Sequence, residues 1–399
     1  MRSFALWYNA TNPNATKKEK EVEVHINLWD KSICGGARDD IQIDFGLLVS
    51  DIEGIDEIDL YCPFSIDKSA ITDLGQKILN HPELVNAIFN ENYHTSSGAP
   101  RRLEVISPSD KKERNEKERN EKERNDGNKI DDRTDSSRRK TPFLIYQLEI
   151  ENEVSIDRIP NHTGPTNEDD DNSFGSLIKI KINKLLEGNQ EERTPTQKYY
   201  FRFRIETTTD KMELFCQRPH NISPFSEAFV TTEVIDFRLN NLRSCCSGVQ
   251  DRISQGKKFK ITSVHYLILR LTSDTLIQQG DTVSSRLLEQ NIWKEYIPSL
   301  TENIIAYHFK KKSDEKDINS AGVKEFVILT RFEYQKTNKW LLGTYLYMLI
   351  YMSVLSNALS NWMSGSPVFG NWIAVILFLI ATAVCMYLIK DTFSNTGNK

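Results

Sequence analysis

Val22, Val24, Ile26 and Leu28 alternate with Glu21, Glu23, His25 and Asn27, and this period of two predicts a half-buried strand. Ile41, Ile43 and Phe45 repeat it, as do Ile58, Leu60 and Cys62, with an acidic turn over residues 51–57 between them. Leu144, Tyr146, Leu148 and Ile150 alternate next, then Ile178, Ile180 and Ile182, then Tyr199, Phe201, Phe203 and Ile205. Residues 229–239 predict a long strand, and the nearly continuous apolar run 264–271 predicts a central one. Ile305, Tyr307 and Phe309, followed by Phe326, Ile328, Thr330 and Phe332, add two more. Helical spacing is carried by Ile71, Leu74 and Ile78, by Leu84, Val85, Ile88 and Phe89 behind Pro82, and by residues 285–296. Many strands, few helices and no βαβ rhythm predict an α+β, mainly β soluble domain over residues 1–335 with a sandwich- or barrel-like core.

The pattern changes at the end of the chain. Residues 340–389 hold no charged side chain, and the segments 340–363 and 368–389 each reach the roughly 20 apolar residues a helix needs to cross a bilayer core of about 30 Å. A Ser-Gly-Ser-Pro connector makes them an expected antiparallel transmembrane hairpin, with residues 390–399 as a short tail. Arg331, Lys336 and Lys339 flank the first segment and Lys390 follows the second, so the positive-inside rule places the large domain and the tail in the cytoplasm. The expectation is an integral membrane protein of an inner or plasma membrane, with Trp340, Trp362 and Trp372 as interfacial belts. Ser353, Asn357 and Asn361 recur every four residues, as do Ser356 and Ser360, giving one polar stripe on the first segment. Polar residues at membrane depth face other helices or water, so the stripe is expected to support self-association or packing within the hairpin.

Composition adds two low-complexity insertions, near residues 108–141 and 160–174, which hold much of the charge and are expected to be disordered. Lys and Arg total 51 against 56 Asp and Glu, so nucleic acid is not indicated as a partner. The first nine residues lack the apolar core and cleavage site of a secretory leader, so none is expected. Cys34, Cys62, Cys216, Cys245, Cys246 and Cys385 form no CxxC pair and read as reduced thiols.

Candidate chemistry is sparse. No glycine-rich phosphate loop or nucleophile elbow occurs. His25, His81, His94, His162, His220, His265 and His308 never stand at HxH or HxxxH spacing, so a metal centre would have to be assembled from distant segments. The acidic run 168–171 lacks the ligand spacing of an EF-hand. Asp44, Asp59, Asp236 and Arg238 lie on predicted strands; Asp236 and Arg238 share a face two residues apart and either line a ligand pocket or are solvated, solvated edges being the favoured reading, and Cys62 reads as core. No catalytic, cofactor or metal residue is assigned, and no cofactor is expected.

A soluble domain followed by a compact hairpin resembles the order of bacterial self-sacrificing defence effectors. CorA-like channels also end in two spans, but their Gly-Met-Asn motif is absent here, where Phe369-Gly370-Asn371 stands near the connector. The defence resemblance implies a membrane-anchored, non-enzymatic sensor or effector. Its cytosolic domain binds a ligand or protein partner, and its hairpin oligomerises and perturbs the lipid bilayer. The alternatives are a membrane-tethered enzyme and an assembly subunit.

Overall fold

The computed structural model describes residues 2–11, 19–30, 40–96, 100–107, 142–161, 173–187, 197–208, 211, 215–219, 230–278, 283–297, 303–313, 322–335, 339–363 and 380. Among these the chain is mainly β. The largest sheet has ten strands. Nine lie in the order β16 (Val283–Leu287), β17 (Ile304–Lys312), β14 (Lys260–Leu271), β2 (Glu21–Asp30), β3 (Asp40–Ser50), β11 (Lys198–Thr208), β8 (Phe143–Tyr146), β7 (Arg102–Ile106) and β6 (His94–Ser96). The tenth, β5 (Ile71–Asp73), pairs with β11. A four-stranded sheet runs β1 (Ala5–Ala10), β4 (Ile55–Cys62), β10 (Phe174–Lys181), β9 (Val154–Pro160). Another runs β12 (Cys216–Gln217), β13 (Val230–Leu239), β18 (Phe326–Gln335), β15 (Thr275–Gln278). In the large sheet β14 pairs parallel with β2 and antiparallel with β17, so it lies between β17 and the chain's first long alternating segment.

Side chains alternate across a strand, so the register decides which residues share a face. Val22, Val24, Ile26 and Leu28 of β2, Ile43, Phe45 and Leu47 of β3, Phe201 and Phe203 of β11, and Val264, Tyr266 and Ile268 of β14 all enter one hydrophobic core. Ile235 and Phe326 join it from another sheet, and Phe4 from just before β1. Each such side chain contributes about 1.5–3 kcal/mol by leaving water. The opposite face carries the intervening polar residues and is partly covered by helices α1 (Gly75–Asn80) and α2 (Glu83–Phe89). Helices α3 (Ile150–Glu153), α4 (Ile182–Glu187) and α5 (Ser247–Gln255) lie elsewhere, with Val249 and Ile253 of α5 packing with Trp7 and Tyr61. Helix α6 (Gln290–Tyr296) returns to the polar face, where Trp293 and Tyr296 cluster with Trp29, Leu84, Leu269 and Ala306.

The chain divides into two compact units, Met1–Gln217 with Glu233–Phe332, and Arg218–Thr232 with Glu333–Lys399. The second contains helix α7 (Lys339–Met363), where the first membrane span was expected. The expected transmembrane hairpin is overturned: among the described residues no helix is long and apolar enough to cross a membrane. Absence of charge is not the same as apolarity. Gly343, Thr344, three tyrosines and the Ser/Asn stripe interrupt the apolar run of α7. The integral-membrane placement and the hairpin effector that depended on this reading fall with it.

Ser353, Ser356, Asn357 and Ser360 lie exposed on α7, beside exposed Leu346, Leu349 and Ile350. Trp340, Lys339, Asn361 and Trp362 belong to α7, but their side chains lie outside the described set. Arg331 is exposed on β18, whereas Lys336, Trp372, Lys390 and the second span apart from Ile380 fall outside the described residues, as do most of the two insertions.

Two helical expectations also move. Residues 71–73 pair with β11 as a strand, and residues 285–287 pair antiparallel with β17, so α6 starts only at Gln290. In both places an available sheet edge outweighs helical spacing.

Candidate metal centre

Register lays the polar face of the large sheet out in rows perpendicular to the strands. One row reads Lys310, His265, His25, Gly46, Arg202 from β17 across β14, β2 and β3 to β11. The next reads His308, Leu267, Asn27, Asp44, Arg204, and on the other side lies Lys312, Ser263, Glu23, Leu48, Tyr200. These rows are polar because the alternate residues of the same strands are committed to the core.

A cleft of about 480 Å³ opens over the rows, within the range of small-molecule sites. Its floor includes Glu23, His25, Asn27, His265 and His308, and its walls include Phe89, Asn90, Glu91 and Tyr93 after α2 and Ser284–Arg286 on β16. Asn90 ends α2 in the left-handed region at φ 55°, which turns the chain toward Tyr93. Arg286 ties the two banks together, donating from Nη2 to the Ala87 carbonyl at 3.0 Å and from Nη1 to the Asn90 side chain.

Glu23, His25 and His265 each offer one ligand atom, and the three atoms lie within 4.8 Å of one another. His25 Nε2 is 2.8 Å from Glu23 Oε1, and His265 Nε2 is 3.7 Å from the same oxygen. Ligands about 2.0–2.1 Å from a tetrahedral zinc ion stand about 3.4 Å apart, so these separations bracket the requirement. Two imidazoles and one carboxylate form a donor set suited to zinc and neighbouring transition metals. His308 extends the line, its ring stacked on His265 with centroids 5.2 Å apart.

Burial raises the Glu23 carboxyl, but the hydrogen bond and charge of His25 and the charge of His265 outweigh it and hold the group well below the usual carboxylate range. Burial and the neighbouring His25 push the His265 imidazole down to about 3 against the opposing pull of Glu23. Burial, Lys310 and His25 push His308 down to about 4. Near neutral pH the face therefore offers a carboxylate and uncharged imidazoles at these three positions, the forms that ligate metals.

Behind His25 lies a buried polar network. His25 is 4% exposed, and its Nδ1 lies 3.4 Å from the Tyr200 hydroxyl. Arg202 donates to that hydroxyl at 2.7 Å and to the Tyr296 hydroxyl at 2.7 Å, and the Asn27 amide, turned with its oxygen inward, accepts from Arg202 Nη2 at 2.8 Å. Asp44 accepts from Tyr296 Oη at 2.8 Å, from Trp29 Nε1 at 2.7 Å, and from Arg204 Nε and Nη2 at 2.7 and 3.1 Å. Burial raises the Asp44 carboxyl, but Arg204 and Arg202 together bring it below its ordinary value. Gly46 makes room for the arrangement: a Cβ there would stand 2.2 Å from Tyr200 Oη.

The sequence-derived candidates are rearranged accordingly. Asp44 and Asp59 are buried rather than solvated edges, at 0% and 2% exposure. Asp236 is buried too, paired with Arg238 at 2.7 Å. Cys62 is core as expected. The histidine pair is hidden in the sequence because His25 and His265 come from distant segments; the available signal is that His25 stands in the polar phase of an alternating strand and His265 interrupts an otherwise apolar run. No protein-family model matches the chain, and no curated protein matches it.

Proposed function

We propose that the protein binds a divalent cation of the zinc class through Glu23, His25 and His265 and uses it to activate water for hydrolysis in the cleft. The observation that carries this reading is the convergence of three donor atoms within 4.8 Å on the floor of the cleft. Structural zinc sites are closed by four protein ligands, whereas catalytic ones keep three and leave a position for water or substrate. Three ligands on an open floor fit the second kind. In that role Tyr200 supports the ring of His25 from behind, as the outer partners of metal-ligating histidines do.

Calorimetric titration of the metal-stripped full chain with zinc tests the reading. One equivalent per chain is expected, with His265→Ala and Glu23→Gln each weakening binding by at least about tenfold. Both positions are only partly buried, so these variants are expected to fold. Failure to bind a stoichiometric equivalent, or equal binding by both variants, removes the proposal.

A further inference from the structure

Beside the three ligand atoms the cleft offers a second, different chemistry. Lys310 and Lys312 sit on the cleft face of β17, in the rows of His265 and Ser263. Alternate residues on a strand lie about 7 Å apart, close enough for two long lysine stems to converge on one dianion. Arg202 and Arg286 also line the cleft, but the three nitrogens of Arg202 are committed to Tyr296, Tyr200 and Asn27, and Nη1 and Nη2 of Arg286 to the Asn90 side chain and the Ala87 carbonyl. The lining carboxylates are Glu23, which belongs to the metal set, and Glu91 on the wall formed after α2. The bank of β16 and β17 is therefore cationic. The facing wall is not: Ile88, Phe89 and Tyr93 line it, with the Phe89 and Tyr93 rings edge to face at 5.8 Å.

We propose that the cleft takes a small molecule in which a phosphoryl group is joined to an aromatic body. Lys310 and Lys312 hold the phosphoryl oxygens beside the Glu23–His25–His265 centre, and Phe89 and Tyr93 receive the ring. The binding assignment stands on the cationic bank and the aromatic wall; the reaction assigned to it rests on the metal reading above. In that reaction the water oxygen forms a bond to phosphorus as the bond from phosphorus to the aryl oxygen breaks. One water proton ends on the departing oxygen and the other stays with the phosphate. Nothing is oxidised or reduced.

The test uses the full-length chain loaded with zinc, titrated with 4-nitrophenyl phosphate and, separately, with 4-nitrophenol, while release of nitrophenol is followed by absorbance. The phosphate ester is expected to bind and be cleaved. The double variant Lys310→Gln with Lys312→Gln changes two exposed strand positions and is expected to bind the ester at least about tenfold more weakly, with one equivalent of zinc still bound. If the ester fails to bind at millimolar concentration, if nitrophenol binds as tightly as the ester, or if the double variant binds it like the parent, the phosphoryl assignment is overturned even where zinc still binds. If the ester binds with the lysine dependence but zinc does not, the metal reading and the hydrolysis fall and the phosphoryl assignment stands.

Discussion

Replacing Asp44 by alanine removes the carboxylate to which Trp29, Tyr296 and Arg204 donate and which lies 3.8 Å from the Arg202 guanidinium. Both arginines remain, at 1% and 6% side-chain exposure, and neither can shed its proton. Breaking a buried ion pair by deleting one partner costs about 3–5 kcal/mol. The Trp29 N–H and Tyr296 O–H also lose an acceptor, at about 1–3 kcal/mol for each group left unsatisfied. These terms overlap, and a loss of about 5 kcal/mol is the expected total, against about 5–15 kcal/mol for the whole stability of a typical domain. Urea unfolding followed by tryptophan fluorescence measures it, with Trp29 in the network and Trp293 packed against Trp29 and Tyr296 as reporters. The pH dependence gives a second handle. Because Asp44 titrates below its ordinary 3.8 in the folded chain, its contribution is present above that value and is lost as pH falls through the lower folded value. The gap between the parent and Asp44→Asn is therefore expected to narrow on acidification. A loss below about 1 kcal/mol in Asp44→Ala would refute the reasoning, because a buried uncompensated guanidinium cannot be that cheap.

Two further outcomes follow from the same geometry. Gly46→Ala drives a methyl into the Tyr200 hydroxyl and is expected to cost about 1–3 kcal/mol by overpacking. In a double-mutant cycle Tyr200→Phe should recover part of that cost, and strictly additive losses would show that the hydroxyl does not sit over Gly46. Asp59 is buried on β4, and burial together with the neighbouring Glu57 raises its carboxyl from 3.8 to about 6 despite Lys179 and the Asn9 amide. A raised carboxyl favours the folded chain at low pH, and that advantage disappears as pH rises through about 6. Asp59→Asn should lack this decline and so gain on the parent by up to about 3 kcal/mol between pH 4 and 7, read as the difference in Tm at the two pH values. Identical pH profiles would contradict it.

Much of the sheet is legible in the sequence because its core is written in phase. Val22 to Leu28 and Tyr199 to Ile205 alternate strictly, and both become central strands whose apolar members enter one core. What alternation cannot supply is which strand lies beside which. The pairing of β2 with β14 is parallel and long-range, so nothing local in either segment reveals that His25 stands opposite His265. The same missing register made Asp44 look like a solvated edge, although it lies between Asn27 and Arg204 under α6. The misreading of residues 340–363 has another origin. There the absence of charge does not amount to hydrophobicity, because serines, asparagines, tyrosines and Thr344 are interspersed with the leucines.

The buried network under His25 is hard to justify by stability alone. An ion-pair cluster of this kind is often no more stabilising than well-packed apolar side chains of the same volume, because taking the charges out of water costs as much as their attraction returns. Its value is directional. A strand fixes where the Cβ of His25 lies, but leaves the imidazole ring free to turn about its own axes. Tyr200 sits at Nδ1, on the side of the ring away from Glu23, and Tyr200 is itself held by Arg202. Arg202 is held in turn by Tyr296, which donates to Asp44. Because Arg202 donates to the Tyr200 oxygen, the Tyr200 proton is available to His25 Nδ1, which leaves the Nε2 hydrogen directed at Glu23 in the metal-free chain. A cation held at Nε2 would require the imidazole proton at Nδ1, with Tyr200 then accepting from His25 rather than donating to it. A carboxylate three side chains away thus sets the orientation of a ligand that the sheet alone would leave undetermined, and this positioning role accounts for charges that the core would otherwise be better without.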